Sequence, residues 1–182
     1  MRIIAGHWRG RAILAPAGAA TRPTADRTRE ALFSMLVSRL GSFDGLRILD
    51  GFAGTGALGL EALSRGAAHA TFVENAADAV KVLRANLVGM KFDAASISNV
   101  VAAPLETIGS VAAPCDLILL DPPYASGLAG PALARLADRG WIAPHALVSV
   151  ETDRKEVLDL PFETLAVRDH GKARLHLLRA AG

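Results

Sequence analysis

One cysteine in 182 residues leaves nothing for an internal disulfide: Cys115 stands alone at the head of an apolar run, where it reads as core. No His/Cys cluster has zinc-like spacing, so a metal-stapled fold is excluded and no metal site is expected. No apolar run reaches the roughly 18 residues of a membrane span before Gly, Pro or charge interrupts it. Met1-Arg2 leads into a strand-like segment rather than a signal sequence, so the expected location is cytoplasmic, with no membrane partner and no obligate protein partner evident. Internal repeats and low-complexity tails are lacking too. The fold must rest on packing, for which a 51% hydrophobic chain of this length suffices as one main domain.

Charge is scarce overall but unevenly placed. The net charge is +2, yet residues 1–40 carry Arg2, Arg9, Arg11, Arg22, Arg27, Arg29 and Arg39 against Asp26 and Glu30, which is +5 and leaves −3 for the remainder. Every cation there is Arg, whose planar fork suits bidentate phosphate contacts. A basic arm on a mildly acidic body fits a polyanionic partner, with half-solvated helix arginines as the plainer alternative.

Arg2 to Ala5 and Arg11 to Leu14 read as short strands joined through "GHWRG", followed by a Pro/Gly/Ala-rich connection, so residues 1–24 form a basic appendage and 25–182 the main domain. Leu32, Met35, Leu36 and Leu40 keep helical spacing from about Ala25, with Thr24 as cap and Gly41 as stop. Strand-like runs then appear at 46–50, 70–74, 98–102, 115–121 and 146–151. Helical stretches fall at 57–65, 76–88, near 105–108 and at 128–138. This alternation implies an α/β fold with a parallel sheet and helices on both faces. "FETLAVRD" and "ARLHLLR", joined by His170-Gly171-Lys172, read as an antiparallel hairpin at one edge.

"ILDGFAGTGALGLEAL" places Gly54-x-Gly56-x-x-Gly59 directly between a strand and a helix, the context in which the pattern signals a nucleotide-like ligand. Glycine there lets backbone N–H groups approach a ligand where a Cβ would intrude. Glu74 ends the next strand at the distance expected of a ribose-binding acid. Asp50, at the mouth of the first strand, would oppose a pyrophosphate but attract the ammonium or sulfonium of S-adenosylmethionine. A Walker-type Ser, Thr or Lys is absent.

The run "LILLDPPYAS" ends a buried strand on Asp121, Pro122, Pro123 and Tyr124. Ligands of open parallel sheets sit beyond the carboxyl ends of the strands, so Asp50, Glu74 and Asp121 share one rim. Both prolines lack N–H groups and have fixed φ, leaving rigid carbonyls as acceptors, and Tyr124 offers a face for a base to stack on. Asp and Pro acceptors beside an aromatic suit methyl transfer to an exocyclic amine of a nucleobase, whose delocalised lone pair must be held and aimed. A plain Pro-Pro turn is the alternative.

These motifs, with the amino-terminal "RIIAGHWRGR" and the more diagnostic "RPTADRTRE" at residues 22–30, resemble the bacterial 16S ribosomal RNA guanine-N2 methyltransferase family almost end to end. The resemblance implies a Rossmann-like methyltransferase domain with a seven-stranded sheet, S-adenosylmethionine as donor, and 16S rRNA in partly assembled small subunits as substrate, at guanine 966. Carried over, Asp50, Phe52, Ala53, Gly54, Gly56, Glu74, Asn75, Ala103 and Leu105 would hold the donor. Asp121, Pro122, Pro123 and Tyr124 would hold the guanine, and Arg9, Arg11, Arg22, Arg27 and Arg29 the RNA. One position departs: where such enzymes often place Asp or Asn after the third strand, this chain has Ala102, Ala103 and Pro104, so adenine would be read by backbone groups or by Leu105.

Other residues speak more softly. His7 and Trp8 could stack on RNA or pack across the hairpin. His69, His145, His170 and His176 have no partner at catalytic spacing, Trp141 reads as core, and Glu151 reads as a surface carboxylate that could alternatively reach the pocket. A DNA adenine-N6 methyltransferase would need a target-recognition insert that no stretch here is long enough to provide. An NAD-dependent oxidoreductase would leave Asp121 to Tyr124 and the arm unused, and a non-catalytic RNA binder explains only the arm.

Overall fold

Ile48 and Leu49 are wholly buried, and the strand that carries them is an inner strand of a seven-stranded sheet. The computed structural model describes residues 1–16, 23–90, 97–123, 126–156, 158 and 161–182. The strands are β1 (Arg47–Gly51), β2 (His69–Glu74), β3 (Ser98–Ala102), β4 (Cys115–Leu120), β5 (Ile142–Asp153), β6 (Glu163–His170) and β7 (Ala173–Arg179). Their order is β3-β2-β1-β4-β5-β7-β6. The first five run parallel, with Ile48 opposite Ala70 on one side and Leu117 on the other. β7 inserts antiparallel between β5 and β6, closing the expected hairpin at the edge.

Because side chains alternate across a strand, the sheet has two apolar faces, and each is covered. Ile48, Phe72, Leu117 and Leu119 pack under the helices α1 (Pro23–Leu40), α2 (Ala57–Ser64) and α3 (Ala77–Gly89), through Leu36, Leu60 and Leu83 among others. On the opposite face Leu49, Ile118, Leu120 and Val148 pack against α4 (Ala129–Asp138) and a 3₁₀ turn at Leu105–Thr107. Cys115 is buried there and its thiol is pushed up to about 12 by desolvation, so it is inert core. Trp141 is buried with it and donates its ring N–H to the Gly109 carbonyl at 2.8 Å.

Three expectations shift. α1 begins at Pro23, before the expected Thr24 cap, which suits a residue with no N–H to satisfy. β5 begins at Ile142 instead of 146, with an irregular register opposite Cys115 to Leu117 and a left-handed His145 at φ 61°. The two amino-terminal strands reduce to one bridge, Arg2 with Ala12. There the amides of Ile4 and Ala5 donate instead to the buried Glu61 carboxylate, at 2.7 and 3.0 Å.

Candidate functional site

Asp50, Glu74, Asp121 and Glu151 stand at the carboxyl ends of β1, β2, β4 and β5. Asp50, at the end of β1, is 1% exposed and accepts the Gly59 N–H of α2 at 2.8 Å. Burial pushes its carboxyl well above the ordinary value despite that bond, and the charges of Asp121 and Glu74 push it further. Three carboxylates therefore share one rim, and the charges of two of them act on the third. A phosphate brought there would meet like charge, while a cation or an amine would relieve it.

Glu74 is held by three backbone donors. Its Oε2 accepts the Gly54 N–H and its Oε1 the N–H groups of Asn75 and Ala76, all at 2.8 Å. The same carboxylate thus ties the glycine loop to the start of α3 and fixes its own orientation. Phe52 adopts φ 60°, a left-handed conformation uncommon for a residue with a side chain, and it borders two adjoining cavities. The larger, of about 620 Å³, is bordered by Asp50, Ala53, Gly54 and Asp121. The smaller, of about 70 Å³, is bordered by Glu74, Asn75, Ala103, Leu105 and Pro123. The nine residues expected to hold a donor fall on these two cavities with one exception, Gly56.

Gly56 is set differently: at its φ of 79° an added Cβ would strike Leu83 and approach Phe72 at 3.3 Å, so its side-chain direction points into the core. Gly59 likewise abuts the Phe72 ring. Gly54, with φ 54°, is the glycine that faces open space at the cavity: a Cβ added to it would meet only the Phe52 carbonyl, 4.0 Å away.

Asp121 is exposed to the larger cavity yet surrounded by protein, and that crowding, with the charge of Glu151, raises its carboxyl to about 7. Pro122 is buried and Pro123 exposed. The Pro123 carbonyl, expected to be unclaimed, accepts the Ser126 N–H at 3.2 Å. Tyr124 and Arg22 lie outside the described residues.

The arginines divide. Arg9 and Arg27 are exposed. Arg11, although exposed, donates to the carbonyls of Gly89 and Met90 at 3.3 and 2.9 Å, capping the end of α3. Arg29 is 4% exposed, pairs with Asp26 at 3.1 Å and donates to the Arg2 carbonyl, so its guanidinium is engaged inside the fold and is not presented to a phosphate backbone. Trp8 is buried in the core, and the exposed His7 meets it edge-on.

Of one wall of the larger cavity, sequence reasoning offered only Glu151, as the alternative to a surface carboxylate. Ser149, Glu151 and Asp153 of β5 border it, as do Thr28 and Leu32 of α1 and the turn from His170 to Ala173. The period-two spacing of the β5 residues in "SVETD" was the available signal. Sequence reasoning missed the polar residues that seat the appendage. Besides Glu61, Ser64 Oγ accepts the Trp8 N–H at 2.9 Å, and Asn86 exchanges bonds with Leu14 while donating to the Thr55 carbonyl of the glycine loop at 2.9 Å. Nothing in the sequence flags these, because the partners lie tens of residues away.

Among known proteins, the family described as "Conserved hypothetical protein 95" matches residues 1–179. The chain is 40% identical to "Ribosomal RNA small subunit methyltransferase D" of Escherichia coli K12 over 153 residues, 84% of this chain and 75% of that protein. It is 36% identical to the protein of the same name from Haemophilus influenzae, over 88% of this chain and 83% of the other. The solved structure of Escherichia coli yhhF superposes with a TM-score of 0.84 at 34% identity, over 100% of this chain and 98% of that one.

Proposed function

This chain belongs to the family described as "Conserved hypothetical protein 95", and from that premise we propose that it methylates the exocyclic N2 amine of a guanine in small-subunit ribosomal RNA. The protein is a Rossmann-like, S-adenosylmethionine-dependent methyltransferase, and relatives named for small-subunit ribosomal RNA methylation support RNA as the substrate. The observation that carries the reading is the convergence of Asp50, Glu74 and Asp121 on adjoining cavities beside the open Gly54. The same convergence opposes a dinucleotide, whose pyrophosphate would also have to displace Asp50 from the Gly59 N–H at the start of α2.

The residues present fit the donor. Glu74, already oriented by its three N–H partners, would take the ribose hydroxyls, and the small cavity bordered by Ala103, Leu105 and Pro123 would take the base by apolar contact. Asp50 and the Gly54 region would hold the charged amino-acid end. Bound there, S-adenosylmethionine would supply an electrophilic methyl group to N2, with the thioether S-adenosylhomocysteine as the leaving group.

On the substrate side, Asp121 and the Pro122 carbonyl would each accept a hydrogen bond from one N–H of the amine, turning its lone pair out of conjugation and toward the methyl carbon. Holding that geometry is worth several orders of magnitude in rate. N2 must shed a proton once the new bond forms, and an Asp121 carboxyl that titrates at about 7 is suited to receive it and release it to water. Arg9 and Arg27 would contact RNA phosphates from the appendage side. Small subunits from cells lacking this protein, incubated with it and S-adenosylmethionine, should gain N2-methylguanosine in their ribosomal RNA. Methylation of a different atom, or none, would reject the assignment.

A further inference from the structure

Asp121 and the Pro122 carbonyl do not by themselves tell guanine from adenine, because the exocyclic amines of both bases offer two hydrogens. The difference lies at the neighbouring ring atom. Guanine N1 carries a hydrogen and donates, whereas adenine N1 bears a lone pair and accepts. A group that selects guanine must therefore be an acceptor standing beside Asp121 and facing the same base edge.

Glu151 meets that requirement. Leu120 and Val150 are partners in the parallel pairing of β4 and β5, so Asp121 and Glu151 follow them at the same carboxyl rim. Ser149, Glu151 and Asp153 alternate along one face of β5, and all three border the cavity that Asp121 borders. Of the other acids that border it, Asp50 holds the Gly59 N–H under the donor side, and Asp153 accepts the Lys155 N–H at 2.9 Å in the following turn. Ser149 is buried at the cavity floor. Glu151 is half-buried, and it is the side chain whose charge acts on the Asp121 carboxyl.

We propose that Glu151 accepts the N1–H of the target base and thereby selects guanine, a role that rests on the guanine-N2 transfer proposed above. With guanine bound, the carboxylate and N1–H pair as the amine is held next door. With adenine, two acceptors face each other, and a partly desolvated carboxylate is left opposing a lone pair. Sites built to pair with a substrate N–H discriminate strongly against analogues lacking it, because their own polar group is then stranded.

The test uses small subunits reconstituted with ribosomal RNA that carries guanine or 2-aminopurine at the nucleotide the parent enzyme methylates. 2-Aminopurine keeps the N2 amine but has a bare N1. The parent should prefer guanine by about 10²-fold or more in kcat/KM. Glu151→Gln can turn its amide to donate to a bare N1, so its preference should shrink by at least about tenfold, with affinity for S-adenosylhomocysteine unchanged by calorimetry. Glu151→Asp, which keeps the acceptor, should lose rate but retain the preference. An equal guanine preference in the parent and in donor-binding Glu151→Gln would overturn the role. So would a parent indifferent to the two bases. A parent that makes no N2-methylguanosine on guanine RNA would overturn the reaction assignment first, and this inference with it.

Discussion

The carboxyl rim of the sheet and the amino-terminal appendage each gather charges of one sign, and they differ in what the fold does with them. At the rim, strand ends from β1, β2, β4 and β5 bring Asp50, Glu74, Asp121 and Glu151 together and keep them beside a cavity, although crowding raises the carboxyls of Asp50 and Asp121. No salt bridge to Asp50, Glu74 or Asp121 is found among the described residues. In the appendage region the cations are instead partly absorbed. Arg29 is buried against Asp26 and the Arg2 carbonyl, Arg11 caps α3, and Arg9 and Arg27 remain exposed. Repulsion tolerated in one place and relieved in the other marks the rim as built for a ligand and much of the arm as built for folding.

The largest effect that would break this contrast lies at Asp121. Asp121→Ala should lower methyl transfer by about 10²-fold or more while leaving S-adenosylhomocysteine affinity within about twofold, since it removes an acceptor used in the transition state and no donor contact. Calorimetry and single-turnover rates on the same preparation check both halves. Full activity in the folded variant would end the chemistry proposed for the rim.

Two neighbouring glycines of one loop sharpen it further. Gly54→Ala puts a methyl into open space at the cavity, so donor affinity should fall by about tenfold or more at a stability cost of about 1 kcal/mol for the left-handed backbone. Gly56→Ala drives a methyl into Leu83, so it should lower stability by about 2–4 kcal/mol in urea unfolding, with donor binding lost only as far as folding is. The reverse pattern would return Gly56 to the ligand.

On α1, beside the appendage, Arg29→Met should cost about 1–3 kcal/mol by stranding the Arg2 carbonyl and unpairing Asp26. It should leave the salt dependence of RNA binding by the folded protein unchanged. Arg9→Gln should do the opposite: stability within about 0.5 kcal/mol, and a slope of log affinity against log salt flatter by somewhat under about one unit. Equal slopes for Arg9→Gln and the parent would place the RNA contacts elsewhere.

The smallest effect is one of pH. The Asp121 carboxyl titrates at about 7 in the fold against an ordinary 3.8, so the folded protein holds the extra proton between those values and stability falls as pH rises through that window. Asp121→Asn should lose less stability than the parent from pH 4 to 7. Water in the cleft limits the difference to roughly 0.5 kcal/mol. Activity of the parent should rise with an acid limb near pH 7. Glu151→Gln should move that limb to lower pH, because a like charge has gone.

The order of elements was legible because alternating apolar runs have few solutions: strand and helix in turn oblige a parallel sheet, and the hairpin at 163–179 declares its own edge. Asp50, Glu74 and Asp121 were legible for the same reason, since each stands at a strand end and all parallel strands end on one side. The direction of a glycine's missing side chain was not. Gly54 and Gly56 look alike in a motif, and only the position of Leu83 separates them. Nor could Arg29 be told from Arg27, two residues away on one helix, until the helix had a face turned inward.

By itself, the sequence determined what depends on periodicity and local chemistry: the α/β class, the strand ends that carry carboxylates, the glycine turn and the bound on covalent and metal cross-links. Tertiary structure decided what depends on contacts between distant residues. It joined Glu61, Ser64 and Asn86 to an appendage more than 50 residues away, withdrew Arg29 from the surface, and set Glu151 beside Asp121 across 30 residues of chain. Such pairings leave no local trace, because burial and electrostatic coupling are properties of the space between elements and not of any one of them.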